Sequence, residues 1–139
     1  VAVWIAIVGM PGVSIILLAL ALMTHIAGFD ILYSCQDCEF DRENRLFSIP
    51  ARFGITRAFK ISSALHITAV ILLASLYFTA GFGEWYLPFI ALIAMLFVIE
   101  HRIVKPDDIS HIDIAFFNIN SVISVLVFAA VLTGYLTGG

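Results

Sequence analysis

Four stretches of this chain carry no charged side chain: residues 1–29, 61–83, 85–99 and 114–139. A helix needs roughly 20 apolar residues to cross about 30 Å of hydrocarbon, and runs of this kind separated by short polar segments read as membrane helices. The first run is too long for one span. It is interrupted by Gly9, Met10, Pro11 and Gly12, where a proline among glycines favours a turn. The pattern predicts the end of one helix over 1–8, a second helix starting at residue 13, and further helices over 57–80, 85–104 and 112–136. Strands are disfavoured, because an open sheet cannot satisfy its backbone in lipid and no alternating pattern of about ten residues is present. The expected fold class is all-α: a multi-pass transmembrane helical bundle of about four complete helices plus the end of a fifth, forming one membrane domain over residues 1–139.

Composition agrees with lipid as the solvent. The chain is 62% apolar and only 12% charged, about half the charge of a soluble domain, with a mean hydropathy of +1.08. A net charge of −3 leaves no basic surface for nucleic acid. Disorder is excluded because so apolar a chain cannot stay solvated. Two cysteines three positions apart cannot staple a secreted scaffold.

The cations set the orientation. Arg42, Arg45, Arg52, Arg57 and Lys60 cluster between the second and third helices, and Arg102 and Lys105 follow the fourth. All seven fall on one side, which the positive-inside rule makes cytoplasmic, as for a protein of the inner (plasma) membrane. Trp85 and Tyr86 at the opposite turn fit an interfacial aromatic belt. The chain begins with Val inside an apolar helix, with no cationic segment or small-residue cleavage site of a signal peptide, and reads as part of something longer.

The most informative polar residues are Asp30, Asp37 and Asp41. On a continuous helix, steps of seven and eleven residues return to within about 20° of the starting direction, so the three carboxylates are expected on one face at the cytoplasmic boundary. Like charges on one face repel unless a cation neutralises them. One reading pairs them with Arg42, Arg45 or Arg52. The other is functional, since a carboxylate near hydrocarbon is costly without compensation. Carboxylates without cysteine or histidine partners suit a hard cation such as Mg²⁺, which keeps several waters and commonly shares a substrate phosphate. Carboxylates, metal and arginines at the water boundary suit a diphosphate whose hydrocarbon tail stays in lipid.

These residues carry a resemblance. Asp30-Ile-Leu-Tyr33-Ser-Cys-Gln-Asp37-Cys-Glu-Phe-Asp41 resembles the second aspartate-rich motif, DxxYAxxDxxxD, of the UbiA superfamily of intramembrane prenyltransferases. Ser48-Ile-Pro-Ala-Arg52-Phe-Gly54 is similar to the segment that follows it. Glu100-His101, Lys105-Pro-Asp-Asp108 and the segment from Ala115 through Ser124 resemble the branch that contains 4-hydroxybenzoate polyprenyltransferase and its menaquinone-pathway relatives. Ser34 stands where alanine is common, and Arg45 and Phe47 replace a Gly and a His or Lys often seen before the matching serine.

The resemblance implies a nine-helix fold with two aspartate-rich motifs, of which this chain would supply the end of helix five through helix nine. The first motif, NxxxDxxxD, has no counterpart in these residues, so the missing N-terminal helices of the same enzyme are an expected partner. The implied reaction is Mg²⁺-dependent transfer of a polyprenyl group from polyprenyl diphosphate to an aromatic acid, such as 4-hydroxybenzoate or a naphthoate, in ubiquinone or menaquinone biosynthesis. Asp37 and Asp41 are the expected metal ligands, with Asp30 as a third ligand or a holder of water and substrate. Arg52 and Arg57 are candidate diphosphate partners, for bidentate geometry. Tyr33 either faces the carbocation or packs between helices.

Asp113, Asn120 and Ser124 repeat the same spacing on the last helix; packing is weighed ahead of substrate contact for them, with Asn120 the substrate-binding candidate. Cys35-Gln-Asp-Cys38 lacks a second ligand pair for zinc. His25 is expected to donate to a neighbouring helix, and His66, His101 and His111 show no spacing that makes a site. Two other readings remain: an ion or proton transporter using the aspartate stripe as a relay, and a noncatalytic membrane bundle fragment.

Overall fold

The computed structural model describes residues 2–110 and 112–138, so His111 lies outside the described residues. The elements in chain order are α1 (Ala2–Val8), α2 (Val13–Tyr33), α3 (Cys38–Glu43), α4 (Ile49–Phe53), α5 (Ile55–Thr79) and α6 (Tyr86–Ile103), then a π-helical segment (Ile114–Ile119) that runs into α7 (Asn120–Thr137). Among the described residues there is no strand, only an isolated bridge between Lys105 and Asp108. Four helices are long and apolar enough to cross a membrane: Val13–Tyr33, Ile55–Thr79, Tyr86–Ile103 and Phe117–Thr137. The all-α multi-pass bundle expected from the charge-free runs is therefore what forms.

Contacts set the register. Ser14 Oγ donates to Thr79 O at 2.9 Å and Ser62 Oγ to Gly28 O at 2.8 Å, so α2 and α5 run antiparallel along most of their lengths. Tyr86 Oη donates to Leu73 O at 2.7 Å, and Ser63 faces His101, so α5 and α6 are antiparallel too. Lipid tails are as apolar as leucine, so close packing and interhelical hydrogen bonds hold such helices together. Small residues accordingly sit at the contacts: Ala21, Ala58, Ser62, Ala69 and Ala130 are buried. At Gly28 a Cβ would lie 2.4 Å from the His66 imidazole, so only glycine lets the two helices approach this closely. Phe29, Leu76, Ile93, Phe97 and Ile123 fill the main core, while Phe78, Val125 and Phe128 are exposed, as lipid-facing side chains are. Tyr86 is fully buried, so of the two expected belt aromatics only Trp85 is exposed.

Two elements differ from expectation. The helix expected to run on through residue 41 ends at Tyr33. Over the next residues, successive i→i−3 bonds run from Cys35 N to Leu32 O, Gln36 N to Tyr33 O, Asp37 N to Ser34 O and Cys38 N to Cys35 O. The Ser34 hydroxyl donates to Ile31 O at 2.9 Å, the local competition that disfavours serine inside helices. This tighter winding turns about 20° further per residue than an α-helix, so over four residues it swings the following acids by about 80°. At the other end, the π-helical segment Ile114–Ile119 breaks the α-helical register between Asp113 and Asn120. These two therefore do not repeat on one face. Asp113 Oδ1 accepts from Gln36 Nε2 at 3.3 Å, and Asn120 turns to His25.

A candidate diphosphate cleft of aspartate and arginines

At the cation-rich end, α3, the loop after it and α4 enclose a cleft of about 280 Å³ lined by Asp41, Arg42, Arg45, Phe47 and Arg52, together with Leu46 and Ala51. Its shape follows from local rules. Leu46 N donates to Asp41 O at 2.8 Å and Arg45 N to Arg42 O at 3.3 Å. That pair of bonds is a Schellman closure of α3, with Arg45 at the left-handed position (φ 55°) that ordinarily takes glycine. The residue where the resembling family often carries Gly is thus a position whose backbone asks for one. Ser48 then caps α4, its Oγ accepting from Ala51 N at 3.3 Å. Gly54, at φ 86°, ends α4 and begins α5.

The arginines are held differently. Arg42 Nε donates to Ala51 O at 3.1 Å and its Nη2 to Pro50 O at 3.5 Å, so this side chain clips α3 to α4. The Arg52 guanidinium lies 5.4 Å from the Phe47 ring centroid and 5.6 Å from that of Phe53, cation–π positions that restrict it. Arg45 projects from the turn and completes the lining. Among the described residues no ion pair joins Asp41 to these arginines, so charge compensation within the cleft is incomplete.

Of the expected site residues, Asp41 and Arg52 meet in this cleft. Asp37 is exposed at the N-cap of α3, one turn before Asp41, its carbonyl accepting from Asp41 N at 2.8 Å. Asp30 is exposed on the last turn of α2, beyond the tightened segment. Among the described residues no three His, Cys, Asp or Glu side chains gather as a metal cage, so the single face of three aspartates is not formed. Two carboxylates one helical turn apart nonetheless fit a hard divalent cation, which commonly takes one or two carboxylates together with waters and substrate phosphates. Arg57 is exposed on the first turn of α5 and does not line the cleft. Tyr33 is half-buried and packs against the core cluster of Ile31, Leu32, Cys35, Ala58, Phe59, Val104 and Ile112 that seats the end of α2. Asn120 Oδ1 lies 3.1 Å from His25 Nε2; an amide oxygen only accepts, so the imidazole donates. The interhelical role expected for His25 is what it performs.

Cys35 and Cys38 are free, buried thiols. Burial, and then the neighbouring Cys38, push the Cys35 thiol up to about 11. It is therefore protonated at neutral pH and a poor nucleophile.

The chain also holds a cluster that sequence spacing concealed. His66 Nδ1 lies 3.2 Å from His101 Nε2 and 3.6 Å from Glu100 Oε2, and Ser63 Oγ is 3.4 Å from His101 Nδ1. His66 and His101, which no sequence spacing joins, are thus brought together. The available signal was that His66 and Glu100 are ionisable residues in or at the end of apolar runs, where such residues are rare.

Fold and cleft together define a polytopic membrane protein with acids and arginines gathered where its spans meet water. The UbiA prenyltransferase family model matches residues 1–122, and the chain belongs to that family. Its class of activity is accordingly transfer of a prenyl group. No curated protein matches the chain, and no solved structure does.

Proposed function

We propose that the chain carries the second aspartate motif and the diphosphate cleft of an aromatic prenyltransferase of quinone biosynthesis. In this reading it moves a polyprenyl group from its diphosphate to 4-hydroxybenzoate or a naphthoate. The observation that carries the reading is the cleft itself: one half-buried aspartate faces three arginines, with a second aspartate one turn away, at the end of apolar spans. Arg45 and Arg52 are placed to bind phosphate oxygens, for which the guanidinium fork is suited. Arg42 is engaged with carbonyls and shapes the wall. Leu46 and Phe47 offer an apolar rim over which the first carbons of the prenyl tail leave toward lipid.

Asp37 and Asp41 would hold Mg²⁺ with Asp30 as an outlying partner, and bound Mg²⁺ supplies neutralisation of the leaving diphosphate, worth several kcal/mol. Departure of diphosphate leaves an allylic cation. The electron-rich ring carbon attacks it, and loss of the ring proton restores aromaticity. The proposed setting is the inner membrane with the cleft on the cytoplasmic side, completed by N-terminal helices that bring a first aspartate motif.

The test is diphosphate release from a polyprenyl diphosphate and 4-hydroxybenzoate in proteoliposomes, with and without Mg²⁺, using this chain alone and together with the N-terminal helices of a family member. The expected result is Mg²⁺-dependent release that Asp41→Asn silences. Ion flux without any prenyl diphosphate would support a transporter instead. Silence in both assays, with the companion helices present, would favour a noncatalytic bundle. Asp30 on the last turn of α2, Asp37 at the N-cap of α3 and Asp41 within α3 gather at one boundary, which disfavours a relay across the bilayer.

A further inference from the structure

A second cavity lies far from the arginine cleft in character. It is a slot of about 430 Å³ between α5 and α6. Its walls are Ile67, Val70, Ile71, Ala94, Phe97 and Val98, and its polar residues are Ser63, His66, His101 and Arg102. Because α5 and α6 are antiparallel, Ser63 in the first half of one and Arg102 at the end of the other lie together. The slot is thus apolar along most of its length, with Ser63, His101 and Arg102 at the cation-rich end.

Length and charge select an occupant. The eight-residue rise from Ser63 to Ile71, and equally from Ala94 to Arg102, is about 12 Å, close to the roughly 15 Å depth of one hydrocarbon leaflet. Lys60 precedes Ser63 by one turn on the same side of α5 and is exposed, as is Arg102 across the mouth. No Asp or Glu occurs in α5, and the one acid of α6, Glu100, is fully buried. The mouth is therefore cationic without a protein counter-charge on either wall, at the end of the slot where the charge-free runs of α5 and α6 stop. The Ser63 hydroxyl donates to Phe59 O at 2.9 Å and the His101 ring lies between Ser63 and His66, so these groups satisfy one another at the rim and leave the cations to meet the phosphate.

We propose that this slot is a binding site for an anionic glycerophospholipid of the surrounding bilayer, one acyl chain lying between α5 and α6 and the phosphate meeting Lys60 and Arg102. The site is independent of the arginine cleft and of the reaction assigned to it. Each cation near the headgroup plane contributes enough to favour an anionic over a zwitterionic lipid by roughly fivefold.

The test uses the full chain reconstituted in phosphatidylcholine vesicles containing photoactivatable phosphatidylglycerol or photoactivatable phosphatidylcholine, with crosslinked residues mapped by mass spectrometry. Expected are phosphatidylglycerol crosslinks concentrated at residues 60–71 and 94–102, at least fivefold above those of phosphatidylcholine. The double variant Lys60→Gln, Arg102→Gln should bring the ratio toward one while circular dichroism shows unchanged helicity. Ile67→Trp, which fills the slot and leaves both cations, should lower crosslinking there. Equal labelling by the two lipids, labelling spread evenly around the bundle, or an unchanged ratio in the double variant would overturn the proposal. Displacement of the label by equimolar farnesyl diphosphate would also overturn it and make the slot a site for prenyl diphosphate.

Discussion

Adding one methyl group at position 28 is expected to loosen the α2–α5 contact and destabilise the bundle. The Cβ of Gly28→Ala would sit 2.4 Å from both Cδ2 and Nε2 of His66. The imidazole has little room to yield, since it stacks on Phe97 at a centroid distance of 4.2 Å and reaches His101 at 3.2 Å. Overpacking of this kind costs about 1–3 kcal/mol. Separation of the helices also stretches the Ser62–Gly28 hydrogen bond, and such bonds in membranes average about 0.6 kcal/mol. Alanine recovers up to about 1 kcal/mol of helix propensity. The net expectation is a loss of about 1–3 kcal/mol, read as a lower midpoint when helicity is followed during titration of mixed micelles with SDS. The cause is tested by a double-mutant cycle with His66→Ala, which removes the obstructing ring. The methyl should then cost much less, giving a coupling within the range of about 0.5–3 kcal/mol seen for touching residues. A Gly28→Ala protein as stable as the parent, or additive effects in the cycle, would refute the reasoning.

Other expectations concern the cleft and its support. Arg45→Gly should stabilise the end of α3 by roughly 1 kcal/mol, because glycine removes the left-handed penalty, yet weaken binding of a non-hydrolysable diphosphate analogue several-fold. Thermal melts and calorimetric titration read the two effects, and unaltered analogue affinity would remove Arg45 from the proposed site. Cys35 should resist maleimide at pH 7 in the folded chain and react after unfolding, since its thiol is buried and held protonated. Its folded pKa of about 11 exceeds the ordinary 9.0, so the unfolded thiol loses its proton first. The stability contributed by Cys35 is full below about pH 9 and is lost as pH rises through about 11. Cys35→Ser should flatten that alkaline limb, and an unchanged limb would assign it to other groups.

The spans were legible because in lipid the absence of charge is itself the signal, and four apolar helices appear where the charge-free runs lie. Two of them keep their expected ends to within two residues, 57–80 as Ile55–Thr79 and 85–104 as Tyr86–Ile103. The aspartate face was less legible, because its geometry assumed one rotation per residue through positions 34–37. A single serine hydroxyl bonded to Ile31 O accompanies the change in winding there, and periodicity cannot register it. The meeting of Asp41 with Arg52 depends on a Schellman turn closed by Arg45, a residue whose identity argues against the conformation it adopts. The His66–Glu100–His101 cluster depends on the pairing of α5 with α6, and sequence separation carries no information about that register.

Gly54 closes α4 and opens α5, so a single residue separates a wall of the arginine cleft from a 25-residue membrane helix. A joint that short has no slack. Arg52 lies two positions before it, so a shift of its backbone passes to the first turn of α5 with no loop between to absorb it. A movement of that wall of the cleft is thus also a movement of the end of a membrane helix.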